Sequence, residues 1–343
     1  MLNTQAEKKL EQLLAVSGFD RGEAKILACP AGGNNQACVL EFENTKLLAK
    51  FYLSDQKDRL GSETAFIQYA WARGITCVPK LIGCDKEANL AIYSFIDGEK
   101  IKSENITKAE IDQTIKFIQV LNQLPNNKAL NLPVASEACF SLYDHIQLVE
   151  KRLKGLMSNG YEGPLANEFQ AFMQKVNNTW HNLTNDIAAL SKHKKQDLNK
   201  MLDKAEQCIS PSDFGFHNVL QEKNGKLSFI DFEYAGWDDP AKMVVDFFLQ
   251  PAIPVNNKFY KTFLDAVCHI FPNDENLQWR CDILHPVLAI KWCCIMMNCF
   301  SPNYAERALF AENKLSLLQH QTDRLQTAQQ RLDAIPNLQR NFA

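Results

Sequence analysis

The feature that most constrains this chain is a set of three polar residues placed among aromatic and aliphatic ones near residue 220. Asp213 and Asn218 lie in the stretch 210–218, and Asp231 follows the apolar end of a strand-like run, 227–230. A carboxylate is rarely buried without a hydrogen-bonding partner or a metal ion. The stretch therefore predicts either a metal site or, as the alternative, a turn aspartate with two hydrogen-bonded core residues.

Length and composition indicate a globular protein of about two domains. The chain has 343 residues, of which 46% are hydrophobic and 22% charged, as is usual for globular proteins. Its net charge of -3 gives no electrostatic footprint for nucleic acid, so no nucleic-acid partner is expected. The first residues lack the apolar segment of a secretory signal.

The cysteines and the most apolar segment of the sequence predict a cytoplasmic protein with no membrane partner. The eleven cysteines are scattered, with no C-x2-C pair, and are predicted to be reduced. The window 283–300 contains His285, Pro286, Lys291 and Asn298. It is therefore interpreted as a buried helix and not as a membrane span.

Residue periodicity changes from sheet-like to helical near residue 96. The first part predicts a leading helix and a five-stranded, mostly antiparallel sheet with one inserted helix. The predicted ranges are a helix at 4–17, strands at 24–28, 36–42 and 46–53, a helix at 57–73, and strands at 80–84 and 90–95. The second part predicts helices at 108–124, 142–157, 167–190 and 195–207, and a hairpin with strands at 219–222 and 227–231.

Polar residues in the first part suit a nucleotide phosphate. The turn containing Gly32, Gly33 and Asn35 would leave backbone amides exposed to a phosphate. Lys50 lies in an apolar strand, where a buried ammonium needs an anion, and Glu63 on the next helix is placed to provide one. The alternatives are an ordinary hairpin turn, a lysine that reaches solvent at a strand edge, and a solvent-facing glutamate.

In chain order these pieces resemble the protein-kinase-like fold, and specifically its aminoglycoside phosphotransferase and choline kinase branch. The most specific part is Asp-x4-Asn at 213–218, followed by the run 230–235 and by Asp239-Pro240. The resemblance implies an α+β, bilobal fold. Residues 1–96 would form a nucleotide-binding N-lobe with a small antiparallel β-sheet, and residues 97–343 a mostly helical C-lobe with the catalytic loop, metal site and substrate cleft.

The resemblance also implies roles in an ATP- and Mg²⁺-dependent transfer of phosphate to a hydroxyl. Asp213 would be the catalytic base, and Asn218 and Asp231 would hold Mg²⁺. Lys50, fixed by Glu63, would contact the α- and β-phosphates of ATP. Further nucleotide contacts are expected from the glycine turn and from the backbone at the end of the first lobe: Gly32, Gly33, Asn35, Ser94, Phe95 and Ile96.

Two departures bear on activity and substrate. Pro211 and Ser212 replace the His-Gly that usually precedes the catalytic aspartate, which leaves a pseudokinase or nucleotide-binding regulatory protein as the alternative to a small-molecule kinase. Only seven residues separate Asp231 from Asp239, too few for the activation loop that protein kinases use. A small hydroxylated substrate is therefore expected in place of a peptide.

The sequence does not identify the phosphate acceptor. The region has no dense acidic cluster such as polycationic aminoglycosides would favour, so a sugar or related metabolite is preferred, with choline-like and aminoglycoside substrates as the other possibilities. Aromatic residues near the motif would either stack on the substrate or belong to the core: Phe214, Phe216, Tyr234 and Trp237. The oligomeric state is left open.

Overall fold

A computed structural model describes residues 4–28, 35–53, 57–123, 131–301, 304 and 317–335. Contacts within the chain define two compact units. The first unit comprises Met1–Ser136, Cys208–Asp238 and Ala252–Ile270, and the second comprises Glu137–Gln207, Asp239–Pro251 and Phe271–Ala343. The lobe boundary at residues 96 and 97 stays a prediction.

The first unit contains the predicted five-stranded antiparallel sheet. Its strand order is β1-β2-β3-β5-β4, and every neighbouring pair is antiparallel. The strands are β1 (Lys25–Ala28), β2 (Asn35–Glu41), β3 (Lys46–Tyr52), β4 (Leu81–Asp85) and β5 (Leu90–Ser94). Helix α1 (Thr4–Val16) precedes the sheet, and helix α2 (Arg59–Ala72) connects β3 to β4. Both helices lie within two residues of their predicted bounds.

One face of this sheet packs on α1, and this determines where the polar residues of β3 point. Leu10, Leu13 and Leu14 of α1 share a core with residues of β2, β3 and β5. Leu47 and Ala49 of β3 belong to that core. Because successive strand residues point to opposite faces, Lys50 must point to the face away from α1.

The rest of the first unit positions two loops. Strand β7 (Cys208–Ser210) pairs with β10 (Gly236–Asp238), while β6 (Glu99–Lys100), β8 (Val219–Gln221) and β9 (Leu227–Phe229) form a three-stranded sheet. The β8–β9 hairpin confirms the prediction. Gly236 is required by close packing, because a Cβ there would lie 2.2 Å from the carbonyl oxygen of Pro133. Helices α3 (Lys108–Asn122) and α7 (Tyr260–Ile270) complete this unit.

The second unit is helical, with α8 (Leu277–Met297) at its centre. Helices α4 (Leu142–Met157), α5 (Ala166–Lys194), α6 (Pro240–Leu249) and α9 (Leu317–Asp333) all contact α8. The stretch Leu277–Phe300 is long and apolar enough to cross a membrane, but 78% of its most apolar window is buried inside the protein. The prediction of a buried helix is confirmed.

Two local predictions are wrong. The helix expected at 195–207 does not form; α5 instead continues to Lys194 and stops at Lys195, whose φ of 54° is left-handed, a conformation that cannot extend a right-handed helix. The second wrong prediction is that all cysteines are reduced. Nine cysteines in the described ranges are free thiols, but Cys38 is disulfide-bonded. Sequence spacing does not reveal the Cβ geometry that a disulfide needs.

Candidate active site

The buried ion pair between Lys50 and Glu63 is the first part of the candidate site. Lys50 Nζ lies 2.7 Å from Glu63 Oε2, and only 6% and 2% of the two residues are exposed. The hydroxyl of Tyr52 donates a hydrogen bond of 2.7 Å to the same carboxylate oxygen. Tyr52 lies on the same face of β3 as Lys50, so both side chains reach α2. The pairing predicted for Lys50 and Glu63 is present, whereas Tyr52 was not anticipated.

Asp231 is the second carboxylate on Lys50. Its Oδ1 accepts a hydrogen bond of 2.8 Å from Lys50 Nζ. Burial alone would lower the pKa of Lys50, but the negative charges of Glu63 and Asp231 outweigh it and hold the pKa above its ordinary value. Lys50 is therefore an ammonium at neutral pH. Asp231 itself has a left-handed φ of 66° and lies two residues after the end of strand β9.

Asp213 and Asn218 lie in contact within the loop that joins β7 to β8. The side-chain amide of Asn218 donates to the backbone oxygen of Asp213 at 3.0 Å and to its Oδ2 at 3.3 Å. His217 Nε2 lies 3.1 Å from Asp213 Oδ1, a contact that sequence reasoning missed. The carboxylate of Asp213 is thus held on both oxygens, and its side chain is still 37% exposed.

The departure at Pro211 and Ser212 is accommodated by the backbone. Ser212 has a φ of 65°, the left-handed region that glycine enters without strain. Its backbone N–H donates to Ser210 Oγ at 2.9 Å, and its own hydroxyl donates to the carbonyl oxygen of Ser136 at 3.2 Å. These hydrogen bonds hold a serine in the conformation that glycine would adopt most easily.

Asn218 and Asp231 carry side-chain oxygens, the type of ligand that Mg²⁺ prefers. The amide nitrogen of Asn218 is turned toward Asp213, which leaves its Oδ1 on the other side of the amide. Asp231 uses Oδ1 for Lys50 and retains Oδ2, on a side chain that is 39% exposed. Mg²⁺ is commonly held by one or two protein oxygens together with waters and phosphates. Within the described ranges no group of three His, Cys, Asp or Glu side chains forms a metal cluster.

The side chain of Asn35 contacts Glu233, and its predicted nucleotide contact stays a prediction. Its side-chain amide donates a hydrogen bond of 3.1 Å to Glu233 Oε2. Glu233 is 5% exposed, and its other oxygen lies 3.8 Å from the Nε of Arg59. The residue two positions after Asp231 thus connects β2 and α2. Gly32 and Gly33 lie outside the described residues, and their phosphate contact stays a prediction.

At the end of β5, three residues were predicted to bind adenine, Ser94, Phe95 and Ile96, and they differ in whether the backbone N–H is already hydrogen-bonded. The N–H of Ser94 donates to Lys80 at 2.9 Å, and the N–H of Phe95 donates to Lys46 at 3.2 Å. Both N–H groups therefore already donate to backbone carbonyl oxygens on the two sides of β5. For Ile96, no backbone hydrogen bond is found within the described part of the chain. Adenine recognition at these three residues stays a prediction, with Ile96 as its remaining amide donor.

The motif Asp239-Pro240 belongs to a buried ionic cluster in the second unit. Asp239 caps α6 by accepting a hydrogen bond of 2.8 Å from the N–H of Ala241. Arg280 donates to Asp239 at 3.0 Å and to Asp274 at 2.7 Å. Burial would raise the pKa of Asp239, but Arg280 and His145 outweigh it and lower that pKa to about 2. These residues stabilise the start of α6.

Most of the aromatic residues near the motif belong to the core. Phe214, Phe216 and Trp237 are 4%, 0% and 3% exposed, so they are not available to stack on a substrate. Tyr234 is more exposed, and Lys57 Nζ lies 5.3 Å from the centroid of its ring. The core interpretation therefore holds for the three buried rings.

A family model described as "Phosphotransferase enzyme family" matches residues 25–268. The match spans every candidate residue named above except Arg280 and Asp274. The chain belongs to the phosphotransferase enzyme family. The predicted resemblance is confirmed, and so is the prediction of an enzyme that phosphorylates a small molecule. No protein of curated function shows significant sequence similarity to the chain.

Solved structures of low sequence identity share the fold. Spectinomycin phosphotransferase APH(9)-Ia is 15% identical, with a TM-score of 0.60, and the alignment covers 94% of this chain and 98% of that one. Choline kinase from Cryptosporidium parvum Iowa II is 13% identical, with a TM-score of 0.59 and coverages of 96% and 94%. Choline kinase LicA from Streptococcus pneumoniae is 16% identical, with a TM-score of 0.58 and coverages of 96% and 100%. The α+β, protein-kinase-like fold class is confirmed.

Proposed function

We propose that this phosphotransferase transfers the terminal phosphate of ATP to a hydroxyl of a small molecule, with Asp213 as base. The observation that carries the proposal is the contact of Lys50 with both Glu63 and Asp231, in the same unit as the Asp213–Asn218 contact. Use of ATP is supported by similar structures that contain nucleotide, the spectinomycin phosphotransferase with ADP and a streptomycin–ATP–APH(2")-IIa complex.

Each residue has a defined task in this proposal. Asp213 orients the acceptor hydroxyl and accepts its proton, because a carboxylate that is part-exposed and hydrogen-bonded on both oxygens can meet a substrate without rotating. Lys50 binds the α- and β-phosphates, with Glu63 fixing its direction. Asn218 and Asp231 would hold Mg²⁺, which when bound would neutralise negative charge on the phosphates.

The acceptor is the finer part of the proposal. Sugars, which the sequence favours, are proposed together with amino alcohols and aminoglycosides. Amino alcohols are included because similar structures are a choline kinase and an ethanolamine kinase. Aminoglycosides are included because others are a spectinomycin phosphotransferase and a gentamicin–APH(2")-IIa complex. The buried rings of Phe214, Phe216 and Trp237 weaken the argument from aromatic stacking on a sugar. A cytosolic location is proposed as well.

The proposal is tested by assaying ADP formation from MgATP with a panel of hexoses, choline, ethanolamine, spectinomycin and gentamicin. Asp213→Asn is expected to lower the rate by roughly 10²–10⁴-fold, with MgADP affinity retained. Asp231→Ala is expected to abolish Mg²⁺-dependent nucleotide binding. Asp112→Asn, which changes an exposed aspartate paired with Lys108, serves as the matched control.

Three outcomes separate the alternatives. An Asp213→Asn protein with full activity would refute the role of the base. A wild-type protein that binds MgATP but transfers phosphate to no acceptor would favour the nucleotide-binding regulatory alternative. Transfer of radiolabelled phosphate to lysate proteins, without any small metabolite, would instead indicate a protein kinase.

A further inference from the structure

Lys100 lies beside the catalytic loop in space although it is more than 100 residues away in sequence. It ends the short strand β6, which pairs antiparallel with β8, Lys100 opposite Leu220 and Glu99 opposite Gln221. Strand β8 starts directly after Asn218. The pairing therefore fixes Lys100 next to the segment that contains the base and the candidate metal ligand.

The ammonium of Lys100 is directed into this segment. Lys100 Nζ donates a hydrogen bond to the backbone carbonyl oxygen of His217. His217 is the residue before Asn218, and its ring contacts Asp213. The negative charge of Asp231 also acts on Lys100, where it opposes the lowering of the Lys100 pKa by desolvation. The ammonium is thus close to the groups that would surround a terminal phosphate.

The charge balance of the two lysines differs. Lys50 is neutralised by Glu63 and Asp231 at 2.7 Å and 2.8 Å. Lys100 contacts a neutral carbonyl, and no carboxylate within the described ranges pairs with it at ion-pair distance. One hydrogen bond uses only one of the three ammonium donors. Lys100 therefore has a positive charge and two donors available for an anion.

We propose that Lys100 is a second phosphate-binding cation that contacts the γ-phosphate of the bound nucleotide. The inference rests on the proposed function. In the proposed function Asp213 would hold the acceptor hydroxyl and Asn218 would help to hold Mg²⁺, so the γ-phosphate would be near both residues. His217, whose carbonyl oxygen Lys100 contacts, lies between them in the loop. Lys50, whose ammonium contacts Glu63 and Asp231, is left for the α- and β-phosphates.

In the transfer step Lys100 keeps its proton and stabilises charge. The acceptor hydroxyl gives its proton to Asp213 as its oxygen bonds to the γ-phosphorus. The bond from that phosphorus to the β–γ bridging oxygen breaks, and ADP leaves with the electron pair. Charge in this transition state is spread over the equatorial γ-oxygens, and a preorganised ammonium beside them is stabilising.

The test compares MgATP and MgADP affinities of the full chain by isothermal titration calorimetry. Lys100→Met removes the charge and keeps most of the apolar stem, and Lys102→Met changes an exposed lysine two residues later as the matched control. Lys100→Met is expected to weaken MgATP binding roughly tenfold or more and to leave MgADP affinity within about twofold. Lys100→Arg is expected to retain part of the preference for MgATP, and Lys102→Met to change neither affinity.

The outcomes distinguish this inference from the proposed function. If the wild type binds both nucleotides and Lys100→Met weakens them equally, Lys100 only braces the loop and the inference is overturned, while the proposed function stands. The same conclusion follows if Lys100→Met, folded by circular dichroism, changes neither affinity. If the wild type binds neither nucleotide, the proposed function and this inference both fall.

Discussion

Replacing Asp239 by asparagine isolates the charge of the buried cluster at the start of α6. The asparagine keeps the size of the side chain and an oxygen that can still cap Ala241, so the loss is mainly the ion pair with Arg280. The pKa of Asp239 is lowered from 3.8 to about 2, and each pKa unit corresponds to about 1.36 kcal/mol. Because Asp239 is 1% exposed, solvent screening is small, and the charge contributes about 2 kcal/mol to the free energy of unfolding.

The sign of the pH dependence follows from the lowered pKa. The carboxylate stabilises the folded state fully above the unfolded-state value of 3.8, and this stabilisation is lost as the pH falls through about 2. Asp239→Asn is therefore expected to lower the free energy of unfolding by about 2 kcal/mol at pH 7, and by roughly half of that at pH 3.

Urea unfolding followed by circular dichroism and fluorescence measures both values. Asp265→Asn is the control, since Asp265 forms an exposed pair with Lys261 at 2.8 Å, and such pairs contribute less than about 1 kcal/mol. A loss below about 0.5 kcal/mol for Asp239→Asn at pH 7 would refute the electrostatic reasoning. A loss that does not shrink at pH 3 would do so as well, because it would have another cause.

Further substitutions test packing and site geometry. Gly236→Ala is expected to cost at least about 2 kcal/mol of unfolding free energy, since its Cβ would overlap backbone atoms, whereas Gly155→Ala, in open space within α4, should stabilise by about 0.5–1 kcal/mol; urea titrations decide both. Glu63→Gln is expected to raise the KM for ATP about tenfold, because it removes the carboxylate that fixes the direction of Lys50, and an unchanged KM would contradict this. His217→Ala is expected to lower kcat about tenfold without changing the KM for ATP, and His217→Gln to recover it by donating to Asp213; equal losses in both variants would contradict a positioning role.

The sequence was most informative where a polar residue interrupts an apolar pattern. Lys50 was predicted to need an anion because it lies in an apolar strand, and Glu63 on the next helix was placed to provide it. Asp213 and Asn218 were singled out by their spacing. These signals are local, or nearly so. The five strands of the first sheet and the β8–β9 hairpin were likewise predictable from periodicity and from turn residues, whereas the strand order was not predicted.

Contacts between elements that meet only in the folded structure were not predictable from the sequence. Lys100 and Tyr52 look ordinary in sequence, and their importance appears only when β6 lies beside β8 and β3 faces α2. The hydrogen bond from the side-chain amide of Asn35 to Glu233 is another contact that no local pattern indicates. The error at 195–207 has a similar origin, since helical spacing did not reveal that Lys195 is left-handed and that no α-helix follows it in that segment.

The reach of Glu233 has a consequence for how the molecule folds. Its hydrogen bond with Asn35 spans 198 residues, and the bond between Lys50 and Asp231 spans 181. Contacts of such separation form late, because a long loop must close before they stabilise anything. During synthesis the five-stranded sheet can therefore form well before Lys50 contacts Asp231 and Asn35 contacts Glu233. We expect nucleotide affinity to return only in the slowest phase of refolding, after the sheet has regained its circular dichroism.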